Sequence, residues 1–428
     1  MQCQIISIGD EILMGDTPNT NARQMGETLT EAGIEVVHVS TIKDDLQTIK
    51  DEVTDGLSSV DLVLTTGGLG PTHDDMTKQA IAELFNSPLT VHGPTLSFIK
   101  SMLGKRNIPF SESNYHQAEI PECSEPLINT HGTAPGLWIE ADNASLAVLP
   151  GVPEEMKYLM REKVLPKVKE DAENKGFHKS HYMLTSGIGE STLSDEVIGN
   201  VSSYLGDHCS LAYLPGSWGT RIRITAVASS EEGWTAKVNP LISHIRDKAG
   251  KLIVGEQKGL TLPKGVGEVL KEQDLSISVA ESCTGGAVTS ALTDIPGSSA
   301  YFEGGIIAYA NKVKKQQLRV TQGDLINYGA VSKNVALQMA RGVAQEIQTD
   351  IGLSTTGIAG PDGGSEDKPV GTVWVGYWSK EQHFAIQTEF TKDRIANKQR
   401  TTALALEIVR RVLIGFSEMP YGLKKQQL

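Results

Sequence analysis

Apolar residues in the first part of the chain fall into two kinds of block. Gln4 to Ile8 is a short, nearly continuous apolar run, as a strand buried on both faces requires. From Thr20 to Ala32 the spacing changes. Ala22, Met25, Leu29 and Ala32 share one helical face, and Gly33 supplies a stop. Ile34 to Val39 returns to β-branched residues, and Leu62 to Leu64 runs straight into a glycine loop. This βαβαβ rhythm predicts a parallel sheet covered by helices.

The pattern then changes twice. After the polar run from Lys169 to Gly176, a helix start is expected near Ser191 to Asp195, and Arg221 to Val227 alternates as a half-exposed strand does. Past a linker at Gly255 to Gly259, the alternation of strand and helix resumes. Leu275 to Ala280 and Gly304 to Ala310 read as strands. Asn334 to Ile347 reads as a helix, with Val335, Met339, Val343 and Ile347 at spacing four. The expected organisation is a first domain over 1–170, a small α+β module over 171–256, a second large domain over 257–416, and a C-terminal tail over 417–428 that frays from Lys424 to Leu428. The fold class is therefore α/β: two doubly wound, mostly parallel-sheet domains joined by a small module.

Composition narrows the function. Among 428 residues the net charge is −13, which disfavours a protein that coats nucleic acid, since neutralising phosphates takes clustered Lys and Arg. No apolar run approaches the ~20 residues that span a bilayer, and the start of the chain has no basic n-region. Cys3, Cys123, Cys209 and Cys283 form no CxxC and suggest no disulfide framework. A soluble, cytoplasmic protein with neither nucleic-acid nor membrane partner is expected.

Strand residues 61–66 lead into Gly67-Gly68-Leu69-Gly70-Pro71-Thr72, followed by Asp74-Asp75. Glycines at such a junction let backbone approach a ligand, and the following helix offers N–H groups to an anion. Two adjacent carboxylates would repel a phosphate unless a divalent cation lay between them. Complementing a helix dipole, worth ~0.3–1 kcal/mol each, is the equal alternative. Asp44 and Asp45 read as helix caps. The stretch 66–72 with Asp74-Asp75, the opening 9–13 with Asn19 and Asn21, and Leu149 to Met156 resemble the molybdopterin-binding (MoaB/MogA-like) domain, in the form found in the CinA competence/damage-inducible family. The resemblance implies metal-dependent ADP-ribose pyrophosphate hydrolysis. Asp74 and Asp75 would help hold Mg²⁺, Mn²⁺ or Co²⁺, with Glu11 and Asp44 weaker candidates, and Gly67, Gly68 and Gly70 would line the substrate. Molybdopterin-type ligand binding is the rival reading.

A second junction carries a hydroxyl. The strand ending at Ala280 passes through Glu281-Ser282-Cys283-Thr284-Gly285-Gly286 directly into a helix. Ser282 would stand at the sheet's carboxyl edge, beside N–H groups able to stabilise an oxyanion or phosphate. Ser, Thr and Gly are also ordinary N-cap residues. Only His383 exists in this domain, so a serine base would have to be a desolvated lysine. Residues 281–286, Tyr309-Ala310-Asn311 with Lys314, Gly329 to Ser332, and the glycine-rich stretch 357–371 together resemble the CinA C-terminal domain, the nicotinamide mononucleotide (NMN) deamidase family.

That resemblance implies Ser282 as nucleophile, Lys314 as general base and Tyr309 as its partner. Thr284, Gly285, Gly286, Asn311, Gly360, Gly363 and Gly364 would contact substrate, and the step would need no metal. Cys283 and Lys312 are rivals to Ser282 and Lys314. Arg394 reads as a surface ion pair with a possible phosphate role, and Trp374 and Trp378 as packing. The middle module resembles the small KH-like domain between the two halves of CinA proteins, but Gly187-Ile188-Gly189-Glu190 is acidic rather than a basic GxxG clamp. The reading that follows is a bifunctional pyridine-nucleotide salvage enzyme, with NMN and ADP-ribose as substrates and a homodimer expected from the family. A non-catalytic partner in competence or recombination is the rival from another class.

Overall fold

The computed structural model describes residues 1–70, 75–168, 177–206 and 209–427. They group into two compact units, 1–179 with 227–234 and 180–226 with 235–428. Among the described residues no helix is long and apolar enough to cross a membrane.

In the first unit, strands β1 (Gln2–Ile8), β2 (Glu35–Ile42), β3 (Leu62–Thr66), β4 (Glu125–Leu127), β5 (Gly136–Glu140) and β6 (Ser145–Leu149) form one sheet in the order β2-β1-β3-β6-β5-β4. Strand β1 is parallel to β2 and β3, and β3 to β6, while β5 and β4 add antiparallel. The continuous apolar runs are explained by burial on both sides. Ile5, Leu62 and Leu64 face Met25 and Leu29 of α2 (Thr20–Glu31), and Ile6 and Val63 face Ile49 and Val53 of α3 (Leu46–Ser59). Asn19 caps α2 by accepting from the Ala22 N–H, and Asp45 caps α3 through the Thr48 N–H. Because β1 and β3 are parallel, the turns that follow Ile8 and Thr66 open at the same edge. That edge carries the short helix α1 (Asp10–Leu13) and leads to α4 (Thr77–Leu84) and α5 (Pro153–Leu159).

The second unit holds two sheets. In the middle sheet, β7 (Phe177–Thr185), β8 (Cys209–Gly216), β9 (Gly219–Ala228) and β10 (Ile253–Gly255) run in the order β8-β9-β7-β10, with helix α6 spanning Glu231–Ala249. Strand β9 buries every second residue, including Ile222, Ile224 and Ala226, as the alternation from Arg221 predicts. In the C-terminal sheet, β11 (Ile277–Glu281) lies between parallel β12 (Phe302–Ile307) and β13 (Ile351–Gly357), and β14 (Thr372–Trp378) and β15 (His383–Glu389) continue antiparallel. Helices α7 (Leu262–Glu272), α8 (Ala287–Thr293) and α11 (Arg394–Leu413) cover one face. Helices α9 (Asn311–Leu318) and α10 (Lys333–Ile347) pack over the other, where Val335, Met339 and Val343 meet Ala280 and Ala308.

The last residues correct one expectation. Residues 424–427 are not frayed: Ala385 and Gln426 exchange both backbone hydrogen bonds at 2.9 Å, and the Lys425 ammonium lies over the Phe384 ring, while Met419 before them is buried. The open edge of β15 offers unpaired backbone groups, and the chain end satisfies two of them.

A buried ionic cluster ties the middle sheet to α11. Glu407, Arg410 and Arg411 are each at most 3% exposed. The Glu407 carboxylate accepts from both guanidinium groups at 2.7–2.8 Å. Arg410 also donates to the Lys251 and Ile253 carbonyls, and Arg411 to those of Ser186, Gly187 and Glu418. Removing the acid strands two desolvated cations. Glu407→Ala is therefore expected to cost about 3–5 kcal/mol, read as a lowered urea midpoint, with Glu407→Gln recovering part of the loss.

Candidate active sites on two sheet edges

The C-terminal site starts where β11 ends. The chain leaves the sheet through residues 282–286, with Gly285 and Gly286 at φ of +62° and +100°, a region that favours glycine. Glu281, wholly buried, turns its carboxylate onto the start of α8. It accepts from the N–H groups of Gly286, Val288 and Thr289 and from the Thr289 hydroxyl at 2.7–3.2 Å. This corrects the expectation that these N–H groups wait for a substrate anion, because an internal carboxylate already occupies them. The loop is pinned as a result. The Ser282 N–H donates to the Thr355 carbonyl at 2.9 Å, and the Thr284 hydroxyl bonds that of Thr355.

Strand β12 ends at Ile307, short of the sequence expectation of Ala310; the Ala308 N–H makes the last ladder bond, to the Glu281 carbonyl, and the chain then turns into α9 at Asn311. The carbonyls of Ala308 and Tyr309 thereby face the next helix. Lys314, on α9 and 1% exposed, donates from Nζ to the Ser282 Oγ (2.8 Å), the Ala308 carbonyl (2.7 Å) and the Tyr309 carbonyl (3.0 Å). Burial lowers its ammonium to about 8. A neutral amine beside Ser282 is thus accessible near physiological pH, and such an amine can take the hydroxyl proton. Cys283 lines the same cavity, but burial pushes its thiol up to about 12, which leaves it protonated and a poor nucleophile.

This cavity of about 190 Å³ is lined by Ser282, Tyr309, Asn311, Lys314, Thr356 and Arg394, among others. The Tyr309 side chain is 62% exposed, and its hydroxyl accepts from Arg394, which also donates to the Gly360 carbonyl. Tyr309 thus meets Lys314 through its backbone rather than its ring. Arg394 is a cavity residue rather than half of a surface ion pair. Gly363 and Gly364 line a separate cavity with Glu366 and Glu389, and Lys312 lines another with Lys315. Thr284 is buried under the loop. Trp374 packs in the interior.

The N-terminal site lies at the edge opened by β1 and β3. Gly67, Gly68, Gly70, Glu11, Asp44 and Asp75 line a cavity of about 540 Å³, together with Asn19, Asn21 and Glu155. A Cβ on Gly67 would stand 2.0 Å from the Ile8 carbonyl oxygen, so the loop depends on glycine for packing alone. Of the two acids read as caps, Asp45 is one. Asp44 instead accepts from the Met76 N–H, bracing the far side of the glycine loop. Asn21 donates to the Thr66 hydroxyl and the Gly151 carbonyl, while its Oδ1 is buried with no hydrogen-bond partner among the described residues. Glu155, which sequence reasoning missed as a site residue, accepts from Asn129 on a loop that closes over it at Gly132, and burial raises its carboxyl. Its signal was Leu149 to Met156, read only as a family motif. Asp74 lies outside the described residues. Among those described, no three His, Cys, Asp or Glu converge as a metal set.

Three family models match in succession: a probable molybdopterin binding domain over residues 4–170, the damage-inducible protein CinA KH domain over 180–255, and the CinA C-terminal domain over 260–413. A CinA-like protein of Salinibacter ruber is 41% identical over 96% of this chain and 100% of its own length. A putative competence-damage inducible protein of Halothermothrix orenii is 39% identical over 96% and 99%. A solved CinA structure from Thermoplasma acidophilum is 35% identical, with a TM-score of 0.36, over 40% of this chain and 97% of that one.

The Lys314 environment predicts a pH dependence. Labelling of Ser282 by a serine-directed sulfonyl fluoride should rise about tenfold per pH unit below pH 8, as the amine loses its proton, and level off above it. Mass spectrometry of the labelled peptide reads the rate, and Lys314→Met should abolish it.

Proposed function

The chain belongs to the CinA family, and from that premise we propose that its C-terminal site is an amidohydrolase acting on NMN. The observation that carries this reading is the Lys314 Nζ held 2.8 Å from the Ser282 Oγ in a desolvated pocket. Neutral Lys314 takes the hydroxyl proton as Oγ attacks the carboxamide carbon, giving a tetrahedral adduct. Return of that proton to the amide nitrogen releases ammonia and leaves an ester on Ser282. Water, activated by the same amine, hydrolyses the ester to nicotinic acid mononucleotide and restores the serine. Arg394, with two donors at the cavity rim, suits the phosphate of the substrate. Asn311 suits polar contact with the substrate.

The test is ammonia release from NMN in EDTA. Ser282→Ala should abolish release, whereas Cys283→Ala should retain most of it, since the Cys283 thiol stays protonated. Loss in the cysteine variant alone would reverse the assignment.

A second reading concerns the N-terminal cavity, favoured by the orphaned Asn21 Oδ1 and by Glu11 and Asp75 on the same walls. The orphaned oxygen suits a ligand bearing hydroxyl donors, and the carboxylates suit its phosphates only through a divalent cation. We propose metal-dependent hydrolysis of ADP-ribose at its pyrophosphate there. The described acids alone do not form a ligand set for the cation, so no step is assigned to one. AMP should appear from ADP-ribose with Mg²⁺, Mn²⁺ or Co²⁺ and be lost in Asp75→Asn. No AMP with any of the three metals would leave molybdopterin-type binding as the reading.

A further inference from the structure

A further cavity, of about 480 Å³, lies in the second unit and plays no part in either reaction. One wall is the turn between β8 and β9, where Trp218 packs, partly buried, against the C-terminal core. Several contacts fix that turn. Gly219, at φ +132°, passes so close to the Thr185 carbonyl that a Cβ would stand 2.0 Å from its oxygen. Arg221 donates to the Leu260 carbonyl at 3.2 Å, and the Glu407 cluster holds the middle sheet to α11. The remaining walls come from α8, with Ser290 and Asp294, and from the start of α11, with Lys398 and Gln399.

The chemistry of these walls is specific. Neither the Lys398 ammonium nor the Asp294 carboxylate has an ion pair or hydrogen bond among the described residues. An indole face accepts a flat ring, an unpaired ammonium accepts a phosphate, and a free carboxylate accepts from hydroxyl or amino groups. The volume is that of a small-molecule site and more than twice that of the Ser282 cavity. A nucleoside monophosphate supplies all three groups in one molecule.

We propose that this cavity binds a nucleoside monophosphate, with its base against Trp218, its phosphate on Lys398 and its sugar hydroxyls donating to Asp294. The middle module then contributes a binding residue rather than only a spacer. The Lys398 Nζ also lies 3.7 Å from where a Cβ on Gly285 would stand, so a phosphate held there sits beside the loop that carries Ser282. The proposal does not depend on the amide-hydrolysis reading.

The test titrates AMP into the full chain while following indole fluorescence and, separately, equilibrium dialysis. Quenching should be lost in Trp218→Phe. Affinity should fall about tenfold in Lys398→Met and persist in Ser282→Ala and Glu11→Gln, which alter the two proposed reaction sites. Adenosine and inorganic phosphate should each bind more weakly than AMP. Quenching that survives Trp218→Phe, equal affinity in Lys398→Met, or no binding up to ~5 mM AMP would each overturn the proposal. Trp218 also packs against the core, so the lysine variant keeps the test decisive if Trp218→Phe folds poorly.

Discussion

Everything at the C-terminal site depends on keeping a lysine dry. An ammonium removed from water is stable only if its protons find acceptors, and Lys314 finds three: one hydroxyl and two carbonyls. Those acceptors come from two different strands. Because β11 and β12 are parallel neighbours, their carboxyl ends reach the same sheet edge, and Ser282 meets the carbonyls of Ala308 and Tyr309 there. The parallel core of the sheet is therefore a requirement of the chemistry, and antiparallel β14 and β15 widen the platform without entering it.

Glu281 sets the complementary condition. It is one residue before Ser282 and as deeply buried as Lys314, yet it is met by four donors rather than three acceptors. A carboxylate so satisfied locks the glycine turn and the first residues of α8 into one arrangement. The two charges divide the work. Lys314 is poised to change protonation, because burial opposes its charge, and its partners include the Ser282 hydroxyl. Glu281 holds geometry. The cost is that the N–H groups at the start of α8 are spent on folding.

Local patterns in the sequence carried much of the fold. The helical face of Ala22, Met25 and Leu29, the alternation through Ile222, Ile224 and Ala226, and the Val335 to Val343 stripe each report burial by neighbours whatever those neighbours are. What escaped reading were features decided by residues far away in the chain. Asp44 and Asp45 look identical side by side, but only distant Met76 makes Asp44 a brace. Arg394 looks like any helix-start arginine until Gly360 and Tyr309 fold against it. The chain end looks polar and loose, and its order comes from the vacant edge of β15.

Glycine loops are weaker evidence of ligand binding than their reputation suggests, and the two loops here show why. At Gly67 a side chain is excluded by the Ile8 backbone carbonyl, so this glycine is required before any ligand arrives. At Gly285 there is room for a Cβ and the requirement is the positive φ, which serves the turn that presents Ser282. In neither loop does glycine content by itself reveal what binds. The discriminating signals are a buried amine held near its point of titration and a buried amide oxygen without a donor. Lys314 marks one cavity by its protonation balance, and Asn21 marks another by a buried oxygen the fold has not satisfied.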